Sequence, residues 1–337
     1  MQPSTSSSQL VLGFLTAYVP EELFHAASFT PVFLFHTAED RGFARTHLPG
    51  FTCWVAGSAL DRALSGELDG LAGMALASTC DTMQGLTDLW QRNVPHIPLF
   101  HFGMVQRLDG PAARAYLVAE LESLRERVQA QTGRPISDAA LRDSIVFYNR
   151  TRAQVRQLYA HAADFNPSDL YAYVRAVLTS APPSVLSVVE GPPAPLLLLV
   201  GPALADPILF DVIADAGARV CGDLLDLGER YFSVDAAEDG DPLAALADRL
   251  LALIPTPTKY HSRRTRAAHL LSLVKERGAQ GVIFARQKFC DPHGFDYVQL
   301  AHALNETSVP HLLVELEQAS QTGQLRTRVE AFVEMVA

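Results

Sequence analysis

The chain has little of what would tie it to a membrane, to nucleic acid or to a secreted context. No apolar run in its 337 residues approaches the ~20 needed to span a bilayer. The opening Met1-Gln2-Pro3-Ser4-Thr5-Ser6-Ser7-Ser8 lacks the basic segment of a signal peptide, so a frayed tail on a cytoplasmic protein is expected. A basic excess is also missing. Lys and Arg number 27 against 37 Asp and Glu, and the formal net charge of −10 argues against a nucleic-acid groove. With only four cysteines, in a reducing compartment, a disulfide framework is not expected, which leaves metal binding or plain burial. No Gly-x-Gly-x-x-Gly follows a strand, and no P-loop, Gly-x-Ser-x-Gly elbow or His-Glu-x-x-His occurs.

What is present is an alternation of strand and helix signals in a chain long enough for two cores. Apolar runs predict strands over 10–15, 31–35, 71–79 and 97–100, with helices opening at Pro20, Cys53 and Asp81 between them. From 112 to 179 the pattern turns helical and charged without strand signals. Ser137 and Asp138 are good helix-opening types, and Gly133-Arg134-Pro135 breaks two long helices. A Pro-rich linker covers 181–195. Alternation then resumes, with strands over 196–201, 218–221, 281–289 and 311–315. The expected fold is α/β: two Rossmann-like parallel-sheet lobes, 1–105 and 196–337, with a helical insert at 106–180 and a cleft between the lobes.

Two cysteines stand at one structural address. The run Gly73-Met74-Ala75-Leu76-Ala77-Ser78-Thr79 ends in Cys80-Asp81, and Gly281-Val282-Ile283-Phe284-Ala285-Arg286-Gln287-Lys288-Phe289 ends in Cys290-Asp291. Each reads as a strand, a thiol, then an Asp placed to cap a helix. The carboxyl ends of strands are where open α/β sheets bind ligands. Cys53 opens a further helix, whereas Cys221 sits inside a predicted strand and reads as core. Without tight Cys-x-x-Cys spacing, Cys53, Cys80 and Cys290 fit either small buried residues or three thiolates converging on an iron–sulfur cluster, which would leave one iron open. Glu21 and Glu22 fit either a solvated first helical turn or proton transfer at the site. The cluster Lys259-Tyr260-His261-Ser262-Arg263-Arg264-Thr265-Arg266 fits a solvated helix start or a contact for a phosphate-bearing ligand. The 11 histidines are scattered and read as structural or surface residues.

Several strings together resemble the 2-hydroxyacyl-CoA dehydratase / benzoyl-CoA reductase family. They are Tyr18-Val19-Pro20-Glu21-Glu22-Leu23, the lone Cys53, Cys80-Asp81, Lys288-Phe289-Cys290-Asp291-Pro292 and Gly323-Gln324-Leu325-Arg326-Thr327-Arg328. The chain departs from that family in starting almost at its first strand and in keeping only part of the pattern over 222–231. The resemblance implies an oxygen-sensitive [4Fe-4S] cluster held by Cys53, Cys80 and Cys290 in the cleft, and a paralogous partner subunit. It also implies a separate ATP-dependent iron–sulfur activator that delivers one low-potential electron. The implied reaction is radical elimination of water from a 2-hydroxyacyl-CoA thioester through a ketyl, or reduction of an aromatic acyl-CoA in reductase members. A non-catalytic electron-relay subunit and a metal-free α/β binding protein are the contrasting expectations.

Overall fold

Strands in this chain are short, largely apolar runs, and they assemble into two sheets of identical order. The computed structural model describes residues 10–37, 39–181, 185–189, 191–316 and 322–337. The predicted tail, and residues 182–184 and 190 of the predicted linker, lie outside the described residues. In the first lobe β1 (Leu10–Phe14), β2 (Phe29–Phe33), β3 (Gly73–Ala77) and β4 (Leu99–Phe102) pair in parallel in the order β2-β1-β3-β4. In the second, β5 (Leu196–Gly201), β6 (Arg219–Leu225), β7 (Gly281–Gln287) and β8 (His311–Leu316) repeat it as β6-β5-β7-β8. The α/β architecture with two parallel sheets is the expected one. Each sheet changes winding direction between its first and third strands, the point at which such sheets open a crevice.

Helices cover both faces. The first lobe carries α1 (Glu21–Ala26), α2 (Trp54–Leu64) and α3 (Asp81–Asn93), and the insert α4 (Ala113–Thr132), α5 (Asp138–Tyr159) and α6 (Pro167–Leu178). Ser137 caps α5 by accepting from the Ala140 amide at 3.1 Å, and Gly133 ends α4 at φ 65°. The second lobe adds α7 (Ile208–Asp215), α8 (Glu229–Phe232), α9 (Pro242–Ala252), α10 (Arg266–Arg277), α11 (Asp291–Glu306) and α12 (Thr322–Val336). The insert does not stand apart. Phe14 and Phe102 of the first sheet, Leu117 and Ile145 of α4 and α5, and Tyr231 and Leu246 of α8 and α9 belong to one buried apolar cluster. β6 runs on past Cys221 to Leu225, so Cys221 is mid-strand, buried, with its thiol on the Leu197 carbonyl at 3.4 Å.

The acids opening α1 are neither solvated nor in the cleft, which corrects the first-turn reading. Glu22 is 2% exposed and accepts from Arg152 of α5 at 2.7 Å. Glu21 is 6% exposed and accepts from the Tyr231 hydroxyl of α8. Burial pushes the Glu21 carboxyl up to about 7 against the lowering effect of that hydroxyl. Glu22 goes the other way: burial opposes ionisation, but Arg152 and Arg249 outweigh it and hold the carboxyl below its ordinary value. These acids join α1 to α5 and α8 in the interior.

Two expectations follow for stability. Gly201 ends β5 where an added Cβ would lie 2.4 Å from the Ala285 carbonyl oxygen of β7. Gly201→Ala must push the two central strands apart and should cost about 1–3 kcal/mol in denaturant unfolding. For Glu21 the folded value of about 7 lies above the unfolded 4.5. Its contribution is therefore complete below pH 4.5 and is lost as pH rises through about 7. Glu21→Gln removes that loss, so the melting temperature of the variant relative to the parent should rise between pH 5 and pH 8. The difference corresponds to at most about 3 kcal/mol. A pH-independent difference would contradict it.

Candidate active site

The two crevices face each other. As Cys80 follows Ala77 at the end of β3, so Cys290 follows Gln287 at the end of β7, each at the third strand of its sheet. Phe289, at φ 63°, turns the chain from β7 into α11, and the Cys290 amide closes that turn on the Gln287 carbonyl at 3.0 Å. Cys53 comes from the segment ahead of α2. All three cysteines line one narrow cavity of about 110 Å³ between the lobes, and all three also line an adjoining groove of about 780 Å³. Thr16 and Ala17 beyond β1 and Pro202 and Ala203 beyond β5 complete the cavity walls, so both switch points contribute. Cys221 lines neither space, and neither do Glu21 and Glu22.

Each of the three cysteines is the N-cap of its helix, in extended backbone. This corrects the expected capping Asp: Asp81 and Asp291 are the first helical residues, and the thiol takes the capping address without making a full cap hydrogen bond. The carboxylates still sit in the first turn, where the helix dipole favours them. Burial pushes the Cys53 thiol up to about 11, the Cys290 thiol to about 12, and the Cys80 thiol upward. First-turn amides work against that rise: Val55 and Ala56 at Cys53, Thr82 and Met83 at Cys80, His293 at Cys290. Cys53 and Cys80 also raise Cys290, and Cys80 raises Cys53, because the sulfurs share one low-dielectric space. All four thiols are free.

Three protonated thiols under helix N-termini make a poor nucleophile but a good soft-metal site, since coordination deprotonates a thiol outright. Among the described residues no three His, Cys, Asp or Glu side chains close on one point as the ligands of a single ion do. A four-iron cluster is held at separate corners, so thiolates standing apart around a shared cavity suit it better than a single ion. The donor set, the buried setting and the amides directed at sulfur fit that group.

Sequence reasoning missed several groups of this cavity. His293, one turn past Cys290 on α11, holds Asp226 through Nε2···Oδ2 at 3.0 Å. Its spacing from Cys290 was the available signal. Burial opposes ionisation of Asp226, but His293, Arg266 and Arg230 outweigh it and hold the carboxyl below its ordinary value. His36 also lines the cavity, and burial, then Arg175, push its imidazole down to about 4. The basic cluster is a solvated helix start only in part: Tyr260, Ser262, Arg263 and the N-cap Thr265 are exposed. Lys259, His261 and Arg266 are buried along the groove, and Arg264 and Arg266 bond to the carbonyls of Ala252, Leu251 and Pro255.

Comparisons with known proteins agree on one family. The family model for 2-hydroxyglutaryl-CoA dehydratase, D-component, matches residues 16–336. The beta subunit of lactoyl-CoA dehydratase from Anaerotignum propionicum is 28% identical over 345 aligned positions, covering 96% of this chain and 91% of the relative. The beta subunit of (R)-2-hydroxyglutaryl-CoA dehydratase from Acidaminococcus fermentans is 27% identical, with 96% and 91% covered. A benzoyl-CoA reductase subunit from Thauera aromatica is 26% identical, with 95% and 88% covered. Among the described residues no helix is long and apolar enough to cross a membrane. With the match extending over nearly its whole length, the chain belongs to the 2-hydroxyglutaryl-CoA dehydratase D-component family.

Proposed function

We propose that this chain is the iron–sulfur subunit of a 2-hydroxyacyl-CoA dehydratase-type enzyme, with a [4Fe-4S] cluster held by Cys53, Cys80 and Cys290. The observation that carries the reading is the convergence of those three thiols, from both lobes, on one buried cavity at two facing switch points. Such a cluster supplies one-electron transfer and, at an iron without a protein ligand, a Lewis acid for a thioester oxygen.

The chain's own residues do the rest. The cysteines, fixed at helix N-termini, present sulfur to the cavity, and the first-turn amides stabilise the thiolate form. Apolar walls from Leu15, Phe33, Leu34 and Met83 exclude water, which would quench a radical and weaken local electrostatics. His293 Nε2 and Asp226 Oδ2 are hydrogen-bonded at 3.0 Å beside Cys290. Asp226 Oδ1 is buried without a hydrogen-bond partner among the described residues. This pair therefore takes the proton-handling role that Glu21 and Glu22, locked in the interior, do not reach.

The related proteins belong to dehydratases and to a benzoyl-CoA reductase, each as one subunit of several, which supports a paralogous partner for this chain. The electron would come from a separate ATP-dependent activator. Similarity to the reductase protein supports a second reading, in which the same site serves reduction of an aromatic acyl-CoA. A relay role, in which the cluster passes an electron to the partner without touching the thioester, is the non-catalytic form of the same assignment.

Two measurements test this reading. After anaerobic purification, Cys53→Ala, Cys80→Ala and Cys290→Ala should each lose iron and the visible iron–sulfur absorption, while Cys221→Ala keeps both. Full iron in Cys290→Ala, or equal loss in Cys221→Ala, would contradict the ligand set. The purified single chain, supplied with activator, ATP and a reductant, should show no turnover of 2-hydroxyacyl-CoA thioesters until the paralogous subunit is added. Full turnover without that subunit would remove the two-subunit reading and leave the ligand set standing.

A further inference from the structure

Beside the three cysteines the cleft holds one group whose charge nothing else explains. Lys259, in the segment between α9 and α10, is 7% exposed and lines the groove together with Cys53, Cys80 and Cys290. Its ammonium crosses from the second lobe to the first. Nζ donates to the Ser78 carbonyl at 2.8 Å, two positions before Cys80, and lies 3.4 Å from the Met104 carbonyl and 3.5 Å from Gln106 Oε1. The Tyr18 ring lies beneath it at 5.9 Å. These partners are all neutral. Among the described residues no carboxylate pairs with Lys259, whereas Arg266, the other buried long-chain cation of the groove, holds Asp296 at 2.8 Å, and the half-buried Arg264 spends its donors on the Ala252 and Leu251 carbonyls and on His261. The one ionisable group that acts on Lys259 is Cys80.

A buried ammonium with dipoles around it and no counter-ion is costly unless negative charge arrives with a ligand. Two alternatives are weaker. If carbonyl bonding alone were the purpose, a neutral donor would serve without the desolvation cost. If a substrate phosphate were the intended anion, Arg264 and Arg266 would be expected to aim at the groove, whereas most of their donors go to the protein's own carbonyls and to Asp296. Cys80, two positions beyond the Ser78 carbonyl that Nζ holds, is the group that bears on this charge, and as a thiolate it would supply the missing negative charge.

We propose that Lys259 is the counter-cation of the thiolate-held cluster: a positioning residue that offsets the cluster's negative charge and raises its reduction potential. The inference rests on the iron–sulfur reading of Cys53, Cys80 and Cys290. One electron entering from an external reductant adds one negative charge to the cluster and changes no bond. A fixed ammonium beside a ligating sulfur stabilises the reduced state more than the oxidised one. The same ammonium draws the Ser78 carbonyl, and with it the loop carrying Cys80, toward the second lobe, so charge and position act through one side chain.

The test is anaerobic potentiometric titration of the iron–sulfur chromophore, with low-potential dyes, in the purified chain and in Lys259→Met, Lys259→Gln and Lys259→Arg. The two neutral variants should titrate at a more negative midpoint than the parent, and the Arg variant should return toward the parent value. A tie between lobes would not produce that ordering. Midpoints of Met and Gln equal to the parent's overturn the proposal, and so does an Arg variant displaced as far as Met. If neither neutral variant assembles a cluster while Arg does, the charge requirement stands. If none of the three assembles one, Lys259 is a structural tie and the proposal fails. A parent chain that itself takes up no cluster removes the cysteine assignment as well, which separates the two failures.

Discussion

A parallel sheet wound in the order second, first, third, fourth strand must leave an opening where consecutive crossovers part to opposite faces, and this molecule has two such openings set against each other. Nearly everything about the site follows from that opposition. The loops beyond β1 and β3 supply Thr16 and Cys80, and those beyond β5 and β7 supply Pro202 and Cys290. Holding the openings in register needs ties between the lobes. Tyr18 provides two, accepting from Arg230 at 3.2 Å and from the Thr256 amide at 3.1 Å. A short parallel bridge between Arg107 and Tyr260 provides a third.

The same geometry sets the electrostatics. Groups at the mouth of an exposed sheet would keep ordinary acidities, but here two sheets remove water from both sides. Burial is accordingly the largest influence on Cys53, Cys80, Cys290, His36 and Lys259, and in each case it disfavours the charged form. The thiols and the carboxylate–imidazole pair of the cavity, and the ammonium of the adjoining groove, thus stand in a setting where the charge of any one group depends on that of its neighbours.

Much of this was legible from the chain alone, for identifiable reasons. Apolar runs and their punctuation mark the strands of both sheets, most clearly β3, β5, β6 and β7, which are buried on two faces and leave a continuous signature. The shared address of Cys80 and Cys290 was visible because each follows such a run directly. The capping Asp was misjudged by one position: preference scales put Asp at an N-cap, but here the cysteine must take that extended position for its sulfur to reach the cavity. Glu21 and Glu22 looked solvated because two acids in a first turn usually are. Their partners Arg152 and Tyr231 are far away in sequence, and no local pattern reveals them. Asp226 escaped for a related reason, and Lys259 was visible only as one member of a basic cluster. They lie in turns, and their meaning depends on which loops the opposite lobe brings near.

The continuous apolar cluster through the first sheet, the insert and α8–α9 has a consequence for how a ligand enters and leaves. Two-lobed proteins that swing open about a hinge keep their lobes' cores separate, so rotation exposes little oil to water. Here the back of the cleft is itself core, with Leu227, Tyr231 and Phe232 packed among side chains of the first lobe and the insert. A swinging motion would tear that packing, at roughly 25 cal/mol for every Å² exposed. The molecule is built as a vise welded at the spine. With the spine closed, the groove of about 780 Å³ that passes Tyr260 and Phe295 is the opening that reaches the cysteines.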